Sequence, residues 1–190
     1  MKPHNSGRTY TNLSLVGFMG TGKSTLGRAA ALHLGFRFLD TDEWIESRAG
    51  KSISRIFAEE GEAAFRAHEA AVALELEALS NCVISTGGGF VLPEGNLLSL
   101  RKHSFVVCLW APPEVIYERV RHQHHRPLLQ DPNPMERIRR LLGERSARYG
   151  EADLILGTGH RTPRELVEIL VRRFQAIRGS GPPQSGDPWR

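Results

Sequence analysis

The chain has 190 residues, of which 40% are hydrophobic and 24% charged, with a formal net charge of +4. That length suits a single domain with a sizeable core, and the composition is ordinary for a globular protein. No run approaches the roughly 18 apolar residues of a membrane span, and the start, MKPHNSGRTYTN, lacks the apolar stretch of a signal peptide; a soluble, cytoplasmic protein is expected.

Residues 1–11 are polar and read as a loose arm. LSLVG (13–17) reads as a strand, and a helix follows from Lys23 to Leu34 with Leu26, Ala30 and Leu34 on one stripe. FRFLD (36–40) is a short second strand. Helical pattern fills 42–80, with breaks near Gly50 and Gly61. CVIST (82–86) is a third strand, closed by three glycines. FVVCLW (105–110) is apolar throughout, as a central parallel strand should be. Helix resumes at Pro113, a favourable first-turn position for proline. ADLIL (152–156) is a fifth strand, Pro163 opens a last helix, and GSGPPQSGDPWR (179–190) reads as a disordered tail. Strand and helix alternate without hairpin signals. That pattern predicts an α/β fold, a parallel sheet covered by helices on both faces. Cys82 and Cys108 fall in or beside strands and are expected as buried thiols, not a disulfide.

GFMGTGKST follows the first strand and runs into the first helix. It matches G-x-x-x-x-G-K-[ST] at Gly17, Gly22, Lys23 and Ser24, in the strand–loop–helix setting a phosphate-binding loop needs. Backbone N–H groups turned inward by the glycines, with the free N–H groups of the helix start, form an anion nest. Gly20, Thr21, Gly22, Lys23, Ser24 and Thr25 are the expected ATP contacts. Lys23 reaches the outer phosphates, and Ser24 can ligate Mg²⁺.

Asp40 and Asp42 in LDTDEW lie just past the second strand, where ligands bind in open α/β sheets. They can serve Mg²⁺ and accept a proton from an attacking hydroxyl; Asp42 can equally cap the following helix. The glycines of STGGGF, Gly87, Gly88 and Gly89, either make a tight turn or bring bare backbone close to a ligand. No strand ends in the acid of a Walker B motif, which leaves the metal role to Ser24 and the aspartate pair. ERVRHQHHRPLL (118–129) has the polarity of a closing lid, with Arg126 placed to neutralise a transferring phosphoryl group. Its His122, His124 and His125 are poorly spaced for a metal site and read as a solvated loop. Arg66 in GEAAFRAHE is either a solvated helix arginine or a cleft residue holding an anion. Arg145 in GERSARY is unremarkable alone. No basic block carries interleaved aromatics, so a small anion is favoured over nucleic acid.

In this order and at these intervals, DTD, GEAAFRAHE, STGGG and HRPLL resemble the shikimate kinase family. The APPEVIYERV and ERSARY stretches add to a resemblance that covers about residues 12–175. It implies a five-stranded parallel sheet flanked by helices, a P-loop NTPase of the nucleoside monophosphate kinase type, in one domain over 12–178 with a lid near 119–130. It implies ATP- and Mg²⁺-dependent phosphorylation of the 3-hydroxyl of shikimate, a step toward chorismate and the aromatic amino acids. Residue by residue, Asp42 would be the base, with Lys23 and Arg126 as its catalytic partners. Asp40 and Ser24 would serve the metal. Arg66, Arg145, Asp42 and the triad Gly87–Gly89 would hold shikimate, with Glu69 bracing Arg66. Arg119 and Pro163 would flank the adenine, with Arg126 over the nucleotide. Phe90 stands where the family usually has a small residue, a departure expected to alter packing near the acceptor. A monomer without nucleic-acid or membrane partners is expected. The competing readings are another small-metabolite kinase of the gluconate type and a kinase-like ligand sensor without turnover.

Overall fold

A computed structural model describes residues 8–122 and 132–178. Its strands are β1 (Asn12–Val16), β2 (Arg37–Asp40), β3 (Cys82–Ser85), β4 (Ser104–Trp110) and β5 (Leu154–Gly157). They form one wholly parallel sheet in the order β2-β3-β1-β4-β5. The helices are α1 (Lys23–Leu34), α2 (Thr41–Ala49), α3 (Ile53–Glu59), α4 (Gly61–Leu76), α5 (Glu94–His103), α6 (Pro113–Val120), α7 (Pro134–Tyr149) and α8 (Pro163–Arg178).

The strands alternate their side chains between two cores, as a pleat demands. Leu13, Leu15, Val83, Phe105 and Val107 pack with Leu26 of α1 and Leu166, Leu170 and Phe174 of α8. Val16, Ile84, Val106 and Cys108 face the other way, onto Val72 and Leu76 of α4 and Leu97 and Leu100 of α5. β4 is buried from Ser104 to Leu109, which explains why a strand covered on both faces reads as a nearly continuous apolar run. Because all five strands are parallel, their carboxyl ends meet along one rim.

The structure differs from the sequence expectation in three places. The cap of α2 is Asp40, not Asp42: its carboxylate accepts from the Asp42 backbone N–H at 3.1 Å, and the helix begins at Thr41. The helical stretch 42–80 is divided as expected, near Gly50 and Gly61, into three helices. Helix α5 was not anticipated; its apolar residues are few, and only Leu97 and Leu100 turn inward while Leu98 stays exposed. Residues 8–11 are tied to the body of the fold. Arg8 donates to the Arg101 and Ser104 carbonyls and pairs with Asp153 at 2.6 Å, and the Thr11 N–H bonds the His103 carbonyl.

Cys82 and Cys108 are free and buried as expected; desolvation pushes the Cys108 thiol up to about 12, where it is inert at neutral pH. No helix among the described residues is long and apolar enough to cross a membrane.

Candidate active site

The rim holds a cavity of about 520 Å³ lined by the whole 19–26 loop and helix start, by Asp40, Asp42, Gly87 and Gly88, and by Arg119 and Pro163. Its floor is the loop between β1 and α1. Gly17 has φ 132°, and a Cβ there would lie 2.3 Å from the Leu109 carbonyl oxygen, so only glycine fits. Lys23 is buried, and its ammonium donates to the Phe18 carbonyl at 2.9 Å, while Thr21 Oγ1 donates to the same oxygen at 2.8 Å. The lysine is thus folded back over the loop, with its charge kept at the place where phosphates would lie.

At the ends of β1, β2 and β3 three oxygens converge. Ser24 Oγ donates to Asp40 Oδ2 at 2.9 Å and lies 3.2 Å from Ser85 Oγ. Parallel register sets Asp40 opposite Ser85. This is a hard-oxygen donor set of the kind Mg²⁺ accepts. The sequence reading missed Ser85. Its signal was present: it is the last residue of a strand beside the phosphate loop, where a Walker B acid would otherwise stand.

Across the rim, the glycine triad lies against three functional side chains, and at Gly87 and Gly89 the missing Cβ makes room for them. A Cβ on Gly87 would lie 2.5 Å from Asp42 Oδ1, one on Gly88 3.6 Å from Arg145 Nη1, and one on Gly89 2.8 Å from Arg66 Nη1. The loop is anchored at both ends of this arrangement. The Gly87 N–H donates to Thr41 Oγ1 at 3.0 Å, and the Gly88 carbonyl accepts from Tyr149 Oη at 2.7 Å and Arg145 Nη1 at 3.2 Å. Burial pushes the Tyr149 phenol up to about 12, so it remains a donor.

Arg66 projects from α4 toward Gly89. Its Nη1 donates to Glu69 Oε2 at 2.7 Å, and its Nε and Nη2 donate to Glu62 Oε1 at 3.2 and 2.8 Å. Burial works against its charge, but the two carboxylates outweigh burial and raise its pKa. Glu69 is itself buried, and desolvation raises its pKa against the opposing pull of Arg66. Arg145 lies with its guanidinium 5.2 Å from the Phe18 ring centroid, and its Nε is buried without an acceptor among the described residues. A buried donor without a partner is costly, and it marks a place an incoming anion would satisfy.

The expected residues are therefore brought together in two groups. Gly20 to Thr25, Asp40, Asp42, Gly87, Gly88, Arg119 and Pro163 line the cavity; Arg66, Gly89 and Arg145 adjoin it behind the triad. Arg119 ends α6 and bridges the loop to the far wall, donating to the Gly20 carbonyl and to Thr158 Oγ1 and O at 3.2, 3.1 and 2.6 Å. Arg126, with His124, His125 and most of the expected lid, lies outside the described residues, as does the tail. His122 is exposed just past α6. Phe90 is fully buried in the core below the triad, its carbonyl held by Asn96 Nδ2 at 2.9 Å. Besides Ser85, the sequence reading passed over Glu62 and Tyr149. Each lies four residues from a named arginine, Arg66 or Arg145, and so on the same helix face.

A phosphate nest and a polar acceptor pocket facing each other along one strand-end rim define a P-loop kinase of a small metabolite. The family profile for shikimate kinase matches residues 19–175. The shikimate kinase of Nitrosococcus oceani is 44% identical over 172 residues, covering 90% of both chains. Among solved structures, the Acinetobacter baumannii shikimate kinase in complex with shikimate aligns at a TM-score of 0.81 and 38% identity, over 90% of this chain and 95% of that one. A gluconokinase from Sinorhizobium meliloti aligns at 0.57 and 17% identity, over 90% of this chain and 96% of that one, a likeness of fold alone. The chain belongs to the shikimate kinase family, whose members use ATP as co-substrate.

Proposed function

We propose that the protein transfers the γ-phosphoryl group of ATP to the 3-hydroxyl of shikimate, with Mg²⁺, and that the residues assembled on the rim carry the reaction. The observation that carries this reading is the triad: Gly87 and Gly89 give room to Asp42 and Arg66, and the Gly88 carbonyl between them accepts from Arg145. A planar guanidinium matches a carboxylate with parallel hydrogen bonds, where lysine offers only a point charge. Two arginines beside a carboxylate base suit an acceptor that carries both an acid group and hydroxyls.

In this reading Arg66 and Arg145 hold the shikimate carboxylate, and Glu69 keeps Arg66 aimed at it. The backbone of Gly87, Gly88 and Gly89 meets the ring. Asp42, set beside Gly87 in the first turn of α2, takes the proton of the attacking hydroxyl. Lys23 moves from the Phe18 carbonyl to the outer phosphates, Gly20 to Thr25 cradle them, and Arg119 and Pro163 flank the adenine. Arg126 is retained as the lid arginine on the strength of its motif. Ser24 and Asp40, with Ser85 alongside, would hold Mg²⁺, which would supply positive charge against the charge that develops in the transfer. Phosphoryl transfer asks chiefly for positioning and charge neutralisation, and these residues supply both. A monomer is taken as the working unit.

A coupled assay tests the reading. ADP release that depends on shikimate and not on gluconate is expected; the reverse preference would overturn it.

A further inference from the structure

Arg66 is engaged twice before any acceptor arrives. Glu69 is 1% exposed and takes a single Nη1 contact, as a fixed brace would. Glu62 is different. It sits in the first turn of α4, its side chain is 66% exposed, and one of its oxygens takes both Nε and Nη2. The Nε–Nη2 edge is one of the edges on which arginine binds a planar carboxylate in parallel. On the other side, the terminal nitrogens face Gly89, with Nη1 and Nη2 at 2.8 and 3.2 Å from where its Cβ would be.

We infer that Glu62 is an exchangeable carboxylate that competes with the carboxylate of the acceptor for Arg66, and so weakens acceptor affinity. The inference rests on the functional reading above. An ion pair this exposed is held weakly, because water screens it and ordering two long side chains costs entropy. Glu62 therefore releases readily, whereas buried Glu69 does not. Glu62 acts through Arg66 and is a positioning residue; it touches no reacting atom.

The test compares wild type with Glu62→Gln. Shikimate dissociation constants are measured by calorimetry without nucleotide, alongside those of an analogue whose carboxylate is replaced by a hydroxymethyl group. For shikimate the variant should bind about two- to fivefold more tightly, the range set by an exposed ion pair, with no change for the neutral analogue. Unchanged or weaker shikimate binding would overturn the inference and make Glu62 a second brace. Equal tightening for both ligands would also overturn it, because the effect would not then act through the carboxylate. Wild-type turnover of shikimate, run in parallel, tests the functional reading separately, so the two cannot fail together unnoticed.

Discussion

Glu69 lies one helical turn beyond Arg66, nearly sealed from water at 1% exposure, and accepts from Arg66 Nη1 at 2.7 Å. A carboxylate is desolvated here to hold a guanidinium that is itself one-quarter exposed. The pair fixes Nη1, while Nε and Nη2 rest on the exposed Glu62, and the two terminal nitrogens lie beside Gly89. Removing the arginine should therefore act on the acceptor alone. Arg66→Ala is expected to raise the KM for shikimate by about one to two decades, and Arg66→Lys by about one, since lysine keeps the charge and loses the fork. Steady-state kinetics should show an unchanged KM for ATP; equal effects on both substrates would refute the assignment.

Glu69 also makes stability depend on pH. Burial raises its pKa, so the folded state holds the proton more tightly than the unfolded chain does. The contribution is therefore complete below the ordinary carboxylate range and is lost as pH rises through the folded value. Relative to Glu69→Gln, the wild-type Tm should fall as pH is taken from about 4 to about 7. Parallel Tm curves for the two proteins would show that Glu69 titrates normally.

Tyr149 holds the Gly88 carbonyl from the end of α7 at 2.7 Å. Tyr149→Phe removes one neutral hydrogen bond and should raise the shikimate KM about two- to tenfold, with the ATP KM unchanged. Because burial keeps the phenol protonated up to about 12, the ratio of variant to wild type should be flat between pH 6 and 9, roughly the range of ordinary assays. A ratio that bends inside that range would contradict a simple donor role.

Gly89→Ala leaves the backbone unstrained but puts a methyl 2.8 Å from Arg66 Nη1. The guanidinium must shift, and shikimate affinity should fall. Combined with Arg66→Ala, the added loss should be small, because both changes act on one contact. Additive losses in the double variant would place the effect of Gly89 elsewhere.

Lys23 keeps its ammonium 2.9 Å from the Phe18 carbonyl, over the loop. Lys23→Ala should lower kcat at least about 100-fold, the scale seen when a preorganised charge is removed from a developing anion. Its Tm should move little by comparison; a collapse in Tm with normal residual turnover would assign the lysine to the fold instead.

Chain order made much of the site legible. The phosphate loop is a local device, with glycine spacing, lysine and helix start all within nine residues, and it was readable as it stands. The strands were readable because burial on both faces leaves unbroken apolar runs such as FVVCLW. Short helix α5 was not, since its inward face is only Leu97 and Leu100 among polar neighbours. The cap of α2 was assigned two residues late, because Asp40 and Asp42 are chemically equivalent on paper, and only the backbone shows which one precedes the first turn.

The sequence by itself determined the kind of reaction and the family, because phosphate binding and the spaced DTD, FRAHE and GGG motifs are written in contiguous residues. Tertiary structure alone decided the partnerships. Ser85 joins Ser24 and Asp40 through parallel strand register, and Tyr149 and Arg145 both reach back from α7 to the Gly88 carbonyl. Such contacts depend on which residues become desolvated together. Desolvation belongs to the packed sheet and helices, and no local pattern along the chain contains it.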